Sequence, residues 1–100
     1  MTADVEIPRF DTRLVEEFAR GDAVFMAELI DLFLTNAEDY VTEYLAATEE
    51  GQQRDVLHKL KGAALTVGAE RLAALCNAAD AERGTALVAE LAALNSHLRP

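Results

Sequence analysis

Four glycines, Gly21, Gly51, Gly68 and Gly84, divide this chain into runs in which apolar residues recur every three or four positions. That spacing allows little besides packed amphipathic helices. No stretch alternates as a strand would, and no internal repeat is visible. Pro8 and the N-cap residue Asp11 predict a short first helix to about Arg20, closed by Gly21. Asp22 can cap a second helix from Ala23 to about Glu49, carrying Phe25, Leu29, Leu32, Phe33, Ala37, Tyr40 and Tyr44 on its apolar side and ended by Gly51. A third runs from about Gln52 to Val67 and stops at Gly68, where a left-handed conformation suits glycine. Leu72, Leu75, Cys76 and Ala79 mark a fourth helix reaching Arg83, and Leu87, Leu91, Leu94 and Leu98 a fifth beyond Gly84.

Short connections between consecutive long helices imply antiparallel neighbours. The expected fold is therefore all-α: an antiparallel up-down four-helix bundle with a short additional N-terminal helix. A chain of 100 residues with 51% hydrophobic content can fill one such core. Residues 1–9 read as a flexible N-terminal segment and 10–98 as the bundle domain.

Charge narrows the partners. The net charge of −9 argues against nucleic acid, whose recognition relies on clustered cations. Residues 54–71 depart from that balance, with Arg54, Lys59, Lys61 and Arg71 against Asp55 and Glu70. One slightly basic patch in an acidic surface favours an acidic partner there. Cys76 is the single cysteine, so neither a disulfide framework nor a Cys-x-x-Cys metal site can form. Apolar stretches are broken by charges too often to span a membrane, and the acidic N-terminus is unlike a secretory leader. A cytoplasmic, monomeric protein is expected, and Met1 and Pro100 suggest a free-standing one.

Within the third helix, Val56, Leu57, Leu60, Ala63, Ala64 and Val67 fall on one arc of roughly 120° at ~100° per residue. His58 lies almost opposite and should face water. Lys61 and Gly62, three and four residues on, are its neighbours on that face, and Leu65 shares the face although nothing in its own helix would bury it. Glycine inside a helix costs roughly 1 kcal/mol relative to Ala, so Gly62 calls for a reason, and clearance beside His58 supplies one. An imidazole is a nucleophile at cytosolic pH without a dedicated base. A phosphoryl group on its ring would carry about two negative charges, which a lysine one turn away can offset.

The run Leu57-His58-Lys59-Leu60-Lys61-Gly62-Ala63-Ala64-Leu65-Thr66-Val67-Gly68-Ala69 resembles the signature of the histidine-containing phosphotransfer (HPt) domain, with no departure at its key positions. Gly21-Asp22, the segment Leu29 to Leu34, and Leu72 to Cys76 agree, so the resemblance extends from about Phe10 to Leu98. It implies a phosphocarrier of two-component phosphorelays, without a kinase domain, that takes a phosphoryl group from the aspartate of one response-regulator receiver domain and passes it to another. A hybrid histidine kinase would feed the relay. His58 would be the phosphorylation site, Lys61 would steady the phosphoryl group and Gly62 would leave room for it. Mg2+ would come from the partner receiver, with no cofactor on this chain. Partner contacts would involve Leu65, Lys59 and, at the edge of the second helix, Leu34 and Ile30.

Rival readings are a non-catalytic helical adaptor that binds a receiver or other signalling protein without being phosphorylated, and a hydrolase. An adaptor has no use for the trio His58, Lys61 and Gly62. Hydrolysis would need an enclosing pocket that a convex helix face does not provide. His97 reads as a helix-end residue suited to the dipole, Cys76 as a small buried hydrophobe, and Glu38, Asp39, Glu43, Glu49 and Glu50 as a solvated acidic face.

Overall fold

The computed structural model describes residues 9–77 and 83–98. Five helices make up its regular structure: α1 Thr12–Ala19, α2 Ala23–Ala46, α3 Glu50–Val67, α4 Glu70–Asn77 and α5 Arg83–Leu98. Strands do not occur among the described residues.

The starts of α1 and α2 follow from local chemistry. The Asp11 carboxylate accepts a 3.0 Å hydrogen bond from the Arg13 backbone N–H, and Asp22 does the same for Phe25 at 3.0 Å. Between them the chain reverses through Arg20 and Gly21, both left-handed, at φ of 52° and 80°. The reversal thus begins one residue before the glycine.

The second helix ends earlier than its sequence predicts. It stops at Ala46, and Gly51, expected as its terminator, lies instead in the first turn of α3. Ala47 is buried in extended backbone, and the Gln53 side-chain amide donates to its carbonyl at 3.2 Å. A side-chain bond from six residues on therefore satisfies a helix-end carbonyl that a glycine turn would otherwise serve.

Phe33, Leu34, Ala37 and Val41 of α2 meet Leu57, Leu60 and Ala64 of α3, Leu72, Ala73 and Cys76 of α4, and Leu87, Leu91 and Leu94 of α5 in one core. α2 packs on α3 and α5, and α4 packs on both α3 and α5, so the four close a ring, while α1 lies against α2 and α3. Leu34, Leu60, Leu72, Leu87 and Leu94 are fully enclosed, each contributing roughly 1.5–3 kcal/mol of burial free energy. The predicted stripe of α2 is shifted: Phe25 and Leu32 are exposed, while Leu34 and Val41 are buried. A helix gripped by three neighbours buries a wider and differently centred arc than a single stripe indicates.

Gly68 holds the joint between α1 and α3. Its carbonyl accepts from the Asp11 N–H at 2.8 Å, and at φ 89° a side chain there would run into the Asp11 backbone. Arg9 just before α1 donates to buried Glu90 of α5 at 3.0 Å. Residues 1–8 of the expected flexible segment lie outside the described residues, as do Ala79 and the rest of 78–82 in the expected extension of the fourth helix. Arg83, expected to end that helix, opens α5 instead. Among the described residues no helix is long and apolar enough to cross a membrane.

Candidate functional site

The buried stripe of α3 is Val56, Leu57, Leu60 and Ala64, with Ala63 and Val67 half-buried against the core. Locking that stripe into the ring of helices fixes what the opposite face shows to solvent. His58 and Lys59 are exposed, Lys61 is half-buried, and Gly62 is exposed. A Cβ added to Gly62 would have nothing within 4 Å, so the space beside the histidine is open and the glycine is not demanded by packing. Leu65, seven residues beyond His58, is 49% exposed, about 10 Å along the helix by its 1.5 Å rise.

The other two partner-contact residues predicted from sequence do not share this surface. Leu34 is completely buried at the centre of the core, which removes it as a contact residue. Ile30 is half-buried and packs against the core. Both face inward because α2 is enclosed by α1, α3 and α5.

Beside His58 the surface is not simply convex. A groove of about 350 Å³ runs along α3 to the facing parts of α4 and α5, lined by Glu50, Arg54, His58, Lys61, Cys76 and Arg83 among others. Three cations and one carboxylate among these give it a cationic character suited to an anion. Arg54 lies four residues before His58, a spacing readable from sequence. Arg83 comes from the far end of the chain, and only tertiary packing brings it here. Cys76 forms part of the groove wall, and burial pushes its thiol up to about 11, so the sulfur stays protonated and weakly reactive.

A second surface went unread in the sequence. Leu14 and Phe18 of α1, and Val24, Phe25 and Leu32 of α2, are exposed, Phe18 by 67%. The Phe18 and Phe25 rings sit 6.2 Å apart, a normal aromatic pairing distance. Their helical spacing is that of core residues, which conceals them in a periodicity analysis. α1 is bonded through its N-cap residue Asp11 to Gly68, at the end of the histidine helix that carries Leu65.

The family model for the Hpt domain matches residues 28–99. The chain belongs to the Hpt domain family. No curated protein and no solved structure matches it. Hpt domains serve phosphotransfer in two-component signalling, and the matched span covers α3 with His58, Lys61 and Gly62 as well as the groove residues of α4 and α5. It begins after α1, so the apolar surface on α1 precedes the matched part of this Hpt domain. Among the described residues, no three His, Cys, Asp or Glu side chains form a potential metal site.

Proposed function

We propose that the chain is a histidine phosphotransfer protein carrying a phosphoryl group on His58 between receiver aspartates of a phosphorelay. The observation that carries this reading is the solvent-facing imidazole with a lysine one turn away and unfilled space at Gly62, all in the motif of the Hpt family. In the forward step the outward ring nitrogen attacks the phosphorus of an aspartyl phosphate. The N–P bond forms, the acyl P–O bond breaks, and the carboxylate leaves as an anion, needing no proton. The reverse step returns the group to a second receiver.

Lys61 offsets the charge of the transferred group, and Gly62 lets the donor aspartate approach in line. We place Mg2+ on the receiver, which neutralises its own acidic pocket. The receiver docks over the exposed apolar residues Leu65, Phe18 and Phe25, with Lys59 at the edge. The ring of α2 to α5, read with its short connections, supports an antiparallel up-down bundle as the rigid platform for that docking. A partner-supplied active site explains how a surface groove serves a chemistry that in a self-contained enzyme would need enclosure.

Incubation with phosphorylated receivers tests the proposal. Acid-labile, alkali-stable label on the chain, absent in His58→Gln, is the expected result. Stable receiver binding without label, across all receivers of the source organism, would instead support a non-catalytic adaptor.

A further inference from the structure

The groove beside His58 contains a donor that has no acceptor among the described residues. Arg83, the first residue of α5, lines the groove, and its Nε is shut off from solvent without a hydrogen bond. It is the one such side-chain nitrogen or oxygen among the described residues. Leaving a charged donor shut away with its bond unmade is more costly than leaving a neutral one, and each such group in a native protein calls for an explanation.

Its neighbours do not fill the vacancy. Glu50, the carboxylate lining the groove, stands 3.6 Å from Arg54 on its own helix. Arg83 and Lys61 both act electrostatically on the Cys76 thiol, each stabilising its anion. Two cations from different helices therefore converge on the same wall of the groove.

We infer that Arg83 is a second cation for the phosphoryl group on His58, donating Nε–H and a terminal N–H to two of its oxygens after the guanidinium turns into the groove. This rests on the phosphocarrier reading. Turning replaces an unmade hydrogen bond with a forked, charge-assisted pair, the geometry in which guanidinium binds phosphate best. Lys61 shares a helix with His58, whereas Arg83 belongs to α5, so the phosphoryl group would bridge α3 and α5 across the groove.

A receiver-independent experiment separates this inference from the phosphocarrier reading. Phosphoramidate phosphorylates accessible histidines directly: its N–P bond breaks, ammonia leaves, and a new N–P bond forms on the ring. In a His97→Gln background, His58 becomes the single target. The 31P resonance is then followed against pH through the second ionisation of the phosphoryl group, which for phosphate esters lies near 6. Among the described residues, the charged groups lining the groove around it are Glu50, Arg54 and Lys61 from α3 and Arg83 from α5, with neutral Cys76 on α4.

Arg83→Gln should raise that midpoint by about one unit, the scale expected for losing an opposite charge at close range, while Arg83→Lys holds it near the native value. Equal midpoints in native and Arg83→Gln proteins would overturn the inference, as would a His58 that takes no label from this small reagent. If Arg83→Gln does not fold, the native protein still decides. Its Arg83 Nε–H resonance should move downfield on phosphorylation, and an unmoved resonance refutes the contact. Failure of transfer from receivers, with these signals intact, would count against the phosphocarrier reading alone.

Discussion

Replacing Gly68 by Ala tests whether the joint between α1 and the histidine helix is a specific contact or a generic turn. Two penalties apply. At φ 89° the new Cβ sits in a left-handed backbone, which costs about 1–2 kcal/mol for a non-glycine residue. It also meets the Asp11 carbonyl oxygen and carbon, so the start of α1 must move away. The 2.8 Å Asp11 N–H to Gly68 carbonyl bond is then lost, with a net cost of about 1 kcal/mol. The combined loss is about 2–3 kcal/mol.

Gly21→Ala is the matched control. Gly21 has φ 80° but nothing within 4 Å of an added Cβ, so it pays the left-handed strain alone. Both substitutions reduce unfolded-chain entropy alike, and that effect cancels in the comparison. Urea titrations by far-UV circular dichroism would give both free energies from midpoint and slope. Gly68→Ala should be the more destabilised by at least ~1 kcal/mol; equal losses would show that the Asp11 contact contributes nothing.

The remaining predictions address the site, the core and the first helix. Gly62→Ala should raise stability by about 0.5–1 kcal/mol in thermal melts, since the position is helical and open, whereas Gly62→Phe should fold yet take little label from a phosphorylated receiver; native labelling of that variant would refute the clearance role. Leu34→Ala should cost about 2–5 kcal/mol, and Leu65→Ala should stay within about 0.5 kcal/mol while weakening receiver binding in calorimetry. The Arg13 guanidinium, followed by its backbone N–H, holds the Asp11 carboxyl down to about 2 from 3.8. Because that pKa is lowered in the folded chain, its stabilisation is complete above about pH 4 and is lost as pH falls towards 2. Asp11→Asn should flatten the pH dependence of the urea midpoint in that window.

The histidine helix was legible because its signals are local. Val56, Leu57, Leu60 and Ala64 form a stripe, and the exposed positions of His58 and Gly62 follow from it by rotation alone. The caps at Asp11 and Asp22 were readable for the same reason. What escaped the sequence depended on side-chain contacts that no periodicity announces, most of them between distant segments. The end of α2 is set by Gln53 reaching back to Ala47, with no breaker residue to announce it. Leu34, predicted at a partner surface, is buried because α2 has three neighbours. Phe18 and Phe25 carry core-like spacing but lie on the outside, and Arg83 reaches the groove only when α5 folds back against α2 and α4.

The way α1 is fastened to the rest bears on how such a module can diversify. Its link at Gly68 runs from main chain to main chain and is indifferent to the side chain at position 11, and the helix sinks only Val15 and Ala19 into the body. Its outward residues are thus released from any duty in holding the molecule upright. A lineage could rewrite Leu14 or Phe18 without retuning the scaffold, and an α1 grafted from a sibling protein should seat itself wherever that glycine and those two small anchors persist.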